Sequence, residues 1–506
     1  MGRRANWSRY AWLVAFMTFV GALLRLYRLD AQSFWGDEAL SALIADGSTS
    51  EVLGNTRASA NPPGYYLLLH LWRFVAGRSD LAWRLPSALM GVMCIPLMYQ
   101  LGRSFRGRQV GLWAAAMTTL APFHVFYSQE ARMYTQLHSL VCVLMLAYFR
   151  LWQRGQRRCW IWFFLASLAA LWTHLFAAFV VALLSAHFLV IRLCLDHCGN
   201  PGLWFRRTTG AQPRWADYLV VNGGISVAFG LYLPHFYDQL GMIESALWRF
   251  PPEIGRLVGL PLALTISQFL RGVPQLMGMG LTLFLTIIVG MQIGRALWER
   301  LLTTEWLALL SLLCLVPTTG SFILSWVWRP VFAARYLIIA LPAFYLLLAW
   351  SATETRERLF NQFLLVALLI MMIWGLHNWH YNVSFAKPPI RDAVQFVQSS
   401  GQSEAPVIHG IGASYRLFEH YAPDLENCLL SDSPTSHESE IILQRRRGWM
   451  AECATLPSTG FWYIVFPIHS QAFQSERRAE LDGKFSQQLG HTARGIEVYY
   501  YSDADS

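Results

Sequence analysis

A chain of 506 residues, 55% hydrophobic, 14% charged and of positive mean hydropathy, is far more apolar than a soluble globular protein. That excludes an ordinary water-soluble enzyme and reads as a multi-spanning membrane protein. The formal net charge of +9 comes largely from arginines in short loops, so it is a topology signal, and no nucleic-acid partner is expected.

A hydrocarbon core of about 30 Å needs roughly 20 mostly apolar residues per helix, and about eleven segments approach this. They lie near 10–29, 83–102, 109–123, 134–152, 160–173, 175–195, 217–234, 276–293, 305–325, 331–350 and 361–380. The first lacks a clear small-residue cleavage site before Arg25 and Arg28, so it is expected to remain as an anchor. Arg3, Arg4 and Arg9 place the N-terminus on the cytoplasmic side by the positive-inside rule. Arg103, Arg106 and Arg108, then Arg154, Arg157 and Arg158, then Arg206, Arg207 and Arg214 continue the alternation, followed by Arg295 and Arg300 and by Arg356 and Arg358. Asp37, Glu130 and the tail after residue 380 are then expected to face outward.

The membrane module is expected over 1–380, with long outward loops at 30–82 and 235–275, and a soluble domain over 381–506. In the first loop, Asn61-Pro62-Pro63-Gly64-Tyr65-Tyr66 reads as a turn, followed by an apolar helix over 67–75 too short to span. The second loop carries Trp248, Arg249, Phe250, Pro251 and Pro252 ahead of another interfacial stretch. Beyond the hinge Lys387-Pro388-Pro389, strands are expected at 406–409, 461–466 and 495–501, and helices at 390–398 and 414–421, making a small α/β domain. Gly410-Ile411-Gly412 lacks the third glycine of a dinucleotide fingerprint, its place being taken by Tyr415. Cys428 and Cys453 stand alone in the tail, and the sequence leaves their pairing open. Cys194, His197 and Cys198 fall short of a paired zinc signature, so no metal site is expected there.

The charged residues suited to chemistry are Asp37, Glu38, Glu130, Arg132, Arg329 and Arg335. Ions at a membrane boundary are costly and generally have a partner or a function. Asp37 and Glu38 lie in Phe34-Trp35-Gly36-Asp37-Glu38-Ala39-Leu40-Ser41, just beyond the first span. Glu130 and Arg132 lie in a very short connection between spans, where on their own they read first as an ion pair locking helix ends. Arg335-Tyr336 opens the tenth span, as a snorkelling side chain or as a phosphate clamp, since a guanidinium's fixed donors match phosphate oxygens.

Together, Asp37-Glu38, the 61–66 turn, Arg84-Leu85-Pro86-Ser87, Ser128-Gln129-Glu130-Ala131-Arg132-Met133-Tyr134 and Arg335-Tyr336-Leu337 with Pro342 resemble the membrane glycosyltransferases that use polyprenyl-phosphate sugars, the protein mannosyltransferase and aminoarabinose transferase group. The resemblance covers most of 10–350 and implies a fold of the GT-C kind, with inverting transfer of a sugar from a polyprenyl-phosphate donor. Asp37 matches the family's first-loop acid and is expected to be the general base. Glu38 is expected to support Asp37 or the loop, and Glu130 to orient the acceptor or hold Arg132. Arg335, with Tyr336, and Arg132 are expected to bind the donor phosphate. No resident cofactor is expected and metal-free catalysis is favoured, although distant relatives use a divalent ion. A lipid or glycan acceptor is favoured over protein, and the bacterial inner membrane is the expected location, with the tail periplasmic. The rival readings are a transporter or lipid flippase and a noncatalytic scaffold.

Overall fold

The computed structural model describes residues 2–56, 61–197, 213–237, 251–299, 304–430, 452–453, 456, 460–466 and 471–503. The chain divides into two compact units: Met1–Tyr27, Leu85–Leu233 and Arg249–Phe385 in the first, and Arg28–Arg84, Pro234–Trp248 and Ala386–Ser506 in the second. The first eight helices are α1 Gly2–Leu26, α2 Gly36–Ala45, α3 Thr49–Asn55, α4 Gly64–Ala76, α5 Asp80–Phe105, α6 Arg108–Leu120, α7 Pro122–Ser128 and α8 Tyr134–Arg154.

The first unit is a helical bundle. Among the described residues seven helices are long and apolar enough to cross a membrane, or eight if α6 and α7 form one bent span. The other expected segments are helical too: α8 is interrupted by polar side chains such as Gln136, His138 and Ser139, while Arg158–Thr173 and Trp215–Gly230 have 16 residues each. Between α6 and α7 the axis turns by 59°. Pro122 explains the break, because it has no N–H to donate and drives Ala121 into extended geometry, with φ −65° and ψ 115°. Gly102 on α5 and Gly111 on α6 let those helices touch: a Cβ at Gly111 would stand 2.5 Å from the Tyr99 carbonyl oxygen. At the end of α1, where carbonyls run out of intrahelical partners, Gln129 Nε2 donates to the carbonyls of Arg25 at 3.1 Å and Tyr27 at 2.9 Å. Its Oε1 accepts from Trp379 Nε1 at 2.6 Å, which ties helix Arg358–Tyr381 to the same cap.

The second unit joins the first loop to the tail. The tail holds a six-stranded sheet in the order β3-β2-β1-β4-β6-β5, with β1 Val407–His409, β2 Asn427–Leu430, β3 Glu452–Cys453, β4 Phe461–Val465, β5 Phe485–Ala493 and β6 Ile496–Asp503. Strands β3, β2, β1 and β4 are parallel, and β6 and β5 continue antiparallel. The central strands Val407–His409, Asn427–Leu430 and Phe461–Val465 are buried almost throughout, as parallel strands covered on both faces are. Ile408, Phe461, Tyr463, Leu481 and Tyr501 form the core. Three strands and two helices expected in the tail are present, with helices Ile390–Ser399 and Gly412–Tyr421. Cys428 is disulfide-bonded, and the side chain of Cys453 lies outside the described residues, as do Cys198, Trp248, Arg249 and Phe250.

The first loop is three helices rather than irregular chain, and α2 packs on helix Gly412–Tyr421. Gly36 permits the approach, since a Cβ there would already meet the Ala413 side chain at 3.4 Å. The expected interfacial helix is α4, whose Leu71, Phe74 and Val75 are exposed. In the second loop the apolar stretch forms two short helices, Ile254–Val258 and Leu260–Thr265.

The glycine contact gives a paired test. Gly111→Ala is expected to cost about 1–3 kcal/mol by overpacking α5 against α6, whereas Gly280→Ala, on a helix face with nothing within 4 Å, is expected to be neutral or stabilising. Thermal melts in detergent check both, and equal melting temperatures for the two variants would contradict the packing argument.

Candidate active site

Asp37 and Glu38 occupy the first turn of α2, where unpaired N–H groups and the helix dipole favour carboxylates. Asp37 is half-buried, and its backbone carbonyl accepts from Ser41 Oγ at 3.0 Å. Glu38 is fully buried and committed on both oxygens. Arg84 Nε donates to Oε1 at 2.8 Å and Arg84 Nη2 to Oε2 at 3.0 Å, while Lys387 Nζ reaches Oε2 at 2.6 Å and the Trp35 N–H reaches it at 3.3 Å. Burial alone would raise the Glu38 pKa, but the charges of Arg84 and Lys387 outweigh it and bring it down to about 2. Glu38 is thus a fixed anion that ties the first loop to Arg84 and Lys387.

Arg84 completes the arrangement by donating to the carbonyls of Leu29 at 2.9 Å, Gln32 at 2.8 Å and Ser33 at 3.1 Å. Its guanidinium also stands 4.8 Å from the centre of the Phe34 ring, which stacks in turn on His420. A second knot lies beside it. Asp80 accepts from Arg391, His420 and Tyr421, and Arg391 donates to the Asp30 carbonyl at 2.8 Å. Asp80 and Arg391 were missed in the sequence; Arg84 and Lys387 were noticed only as part of a motif and a hinge, since nothing local announces pairing across hundreds of residues.

The other candidates lie in the first unit. Glu130 and Arg132 are buried in the turn between α7 and α8, and the Arg132 carbonyl accepts from Ser87 Oγ at 2.8 Å. The Arg132 guanidinium stands 5.9 Å from the Tyr134 ring centre, and that of Arg335 5.3 Å from the Tyr336 ring centre. Tyr134 and Tyr336 are 6.4 Å apart between ring centres, and His174 lies 5.0 Å from Tyr336. So Arg132 and Arg335, far apart in sequence, flank one aromatic cluster. Tyr336 opens a short 3-10 helix, Tyr336–Ala340, that leads into helix Leu341–Glu354. Arg329 lies past the end of helix Thr304–Val327, half-buried, with its N–H on the Leu324 carbonyl at 3.1 Å. Asp37 and Glu38 belong to the second unit, whereas Glu130, Arg132, Arg335 and Tyr336 belong to the first.

Residues 60–204 match the family model described as Dolichyl-phosphate-mannose-protein mannosyltransferase. Comparison with curated proteins by sequence gave no match. Among solved structures, the chain is similar to ArnT from Cupriavidus metallidurans bound to undecaprenyl phosphate, with a TM-score of 0.58 and 14% identity over 96% of this chain and 97% of that one. The apo form of the same protein gives 0.58, with 12% identity over 99% and 98%. The archaeal oligosaccharyltransferase AglB from Archaeoglobus fulgidus, in complex with an inhibitory peptide and a dolichol-phosphate, gives 0.50, with 12% identity over 98% of this chain and 74% of that one. These likenesses show the fold: a multi-pass helical membrane protein of the GT-C kind with a small sheet domain, as the sequence implied.

Glu38→Gln would leave Arg84 and Lys387 buried without their counter-charge, and is expected to destabilise the protein by roughly 3–5 kcal/mol. Because the folded pKa lies below the ordinary 4.5, the carboxylate contributes its stability above pH 4.5 and loses it as pH falls towards about 2. The melting-temperature gap between wild type and Glu38→Gln should therefore shrink across that window, and a gap independent of pH would contradict the assignment.

Proposed function

We propose that this chain is an integral-membrane glycosyltransferase that moves a sugar from a polyprenyl-phosphate donor to a hydroxyl on a lipid or glycan acceptor. The observation that carries the reading is the end-to-end fold likeness to ArnT bound to undecaprenyl phosphate. The mannosyltransferase match over 60–204 and the positions of Asp37 and the two arginines support it.

In this mechanism the acceptor oxygen attacks the anomeric carbon and gives its proton to Asp37. The bond from that carbon to the phosphate oxygen breaks, and the polyprenyl phosphate leaves with the electron pair. One displacement inverts the anomeric centre. A phosphate leaves as a stable anion, so the reaction needs a base and positive charge rather than a strong acid. Arg335 and Arg132 supply that charge, Tyr336 shapes the site around Arg335, and Glu130 orients the acceptor or holds Arg132. Glu38 keeps the loop in place through Arg84 and Lys387. The protein resides in a bacterial inner membrane, with the N-terminus cytoplasmic and the tail periplasmic.

The test is transfer from a panel of radiolabelled polyprenyl-phosphate sugars to membrane glycolipids, with and without chelator. Asp37→Asn is expected to slow transfer at least roughly a hundredfold, the scale of a lost general base, with an unchanged melting temperature. Arg335→Ala is expected to cost a similar factor, about 3 kcal/mol of charge stabilisation. Equal turnover by Asp37→Asn would remove the base assignment, and loss of activity on chelation alone would replace the metal-free scheme. Translocation of the donor lipid by wild type without any sugar transfer would favour a flippase.

A further inference from the structure

In the first unit, three side chains with ligand chemistry meet where α5, α7 and α8 pack: Cys94, His124 and His138. One ligand atom from each lies within 4.8 Å of the others, and all three residues are completely buried. Among the described residues both ring nitrogens of His138 and Nε2 of His124 have no hydrogen-bond partner. A buried imidazole with two unsatisfied nitrogens is costly, and it is normally explained by an unseen partner. The two rings approach edge to face with centroids 4.8 Å apart, and Cys94 Sγ stands 3.7 Å from the Thr135 carbonyl oxygen.

We propose that Cys94, His124 and His138 form a binding site for a soft monovalent cation, of which Cu(I) is the type. The donor set fits, because thiolate and imidazole together select soft or borderline ions over calcium or magnesium. Ligand atoms bound at about 2.0–2.3 Å stand roughly 3.5–4 Å apart, so the three must close by only about 1 Å. The surroundings are soft as well. One helical turn beyond Cys94 is Met98, and one turn beyond His138 is Cys142; their sulfurs lie 3.5 Å apart and both residues are fully buried.

Charge selects between monovalent and divalent ions. Arg25 is fully buried beside the cluster, its Nη2 donating to His124 Nδ1 at 2.8 Å and to the Thr118 carbonyl at 2.7 Å. With a neutral thiol the cluster and Arg25 carry one positive charge. Replacing the thiol proton by Cu(I) leaves that total unchanged, with the proton released and no change of oxidation state. A divalent ion would add another uncompensated charge in the bundle, where burying charge is most expensive. Since Arg25 donates to Nδ1, the His124 ring proton sits on Nε2 in the unbound state. Binding through Nε2 moves it to Nδ1, which then donates to Ser128 Oγ, 3.4 Å away, while Arg25 Nη2 gives up Nδ1 and keeps the Thr118 carbonyl.

The full-length chain, purified in detergent and stripped with chelator, is reloaded anaerobically with Cu(I) or with Zn(II) and desalted into a competing Cu(I) chelator. Wild type is expected to retain one Cu(I), and X-ray absorption at the copper edge to read one sulfur and two nitrogen neighbours, a result that needs no variant. Cys94→Ser and His138→Gln are expected to weaken binding at least roughly a hundredfold, since even outer-shell losses cost 10–100-fold, while Cys194→Ser, at an exposed thiol, keeps the copper. No copper on wild type, equal retention by Cys94→Ser, or Zn(II) held where Cu(I) is refused would overturn the proposal.

Discussion

The second unit depends on one buried carboxylate. Glu38, Arg84 and Lys387 come from the first loop, the start of α5 and the hinge of the tail, and all three are buried where they meet. A carboxylate so placed is tolerated only with close opposite charge and filled hydrogen bonds. Arg84 meets that demand in full: five donor contacts reach the two Glu38 oxygens and the carbonyls of Leu29, Gln32 and Ser33. A lysine has neither the number of donors nor their planar fork, so the loop's course around α2 is drawn by the shape of one guanidinium. Asp37, the next residue, inherits its position from this arrangement.

The first unit handles buried polarity differently. Its buried Arg25 is held by backbone carbonyls and a ring nitrogen, whereas Arg84 of the second unit has a carboxylate as well as carbonyls. Arg25 is satisfied by the carbonyls of Gly21 and Thr118 and by an imidazole, and Gln129 closes the end of α1 with its amide. Carbonyls at helix ends and near the Ala121-Pro122 break are available because the helices stop there. The same breaks therefore create both the shape of the bundle and the acceptors that permit a charge inside it.

Much of this was legible in the sequence because the signals were local. Runs of apolar residues gave the long helical segments of the bundle, though not the short α7 beyond Pro122, and alternating or continuous apolar stretches gave Val407–His409, Phe461–Val465 and Ile496–Asp503. Strand β2, Asn427–Leu430, was too short and too polar at its start to stand out, and β5, with Ser486, Gln487 and Gln488, carries little apolar signal because it lies at the sheet's edge. The candidate acids and arginines were found because charge beside an apolar span is conspicuous. Their partners were not, because Lys387 and Arg391 look like ordinary hinge and surface charges until the fold brings them to Glu38 and Asp80. The sequence also counted α8 as a plain span, although its His138 and Cys142 face buried sulfur and imidazole one turn apart.

The aromatic setting of Arg132 and Arg335 has a chemical consequence. Each guanidinium carbon stands within cation–π range of a tyrosine ring, and the attraction of the ring for the cation stabilises it where water is scarce. The N–H groups of a guanidinium lie in the plane of its fork, and that plane is the one in which phosphate oxygens are recognised. A guanidinium beside a ring therefore keeps parallel in-plane donors for an anion, a bidentate geometry that an ammonium lacks. The planar fork is itself pre-organised, so less freedom is lost per hydrogen bond when an anion arrives. For the donor phosphate proposed above, two arginines beside an aromatic cluster therefore suit the role better than lysines, which are more strongly hydrated and keep more freedom.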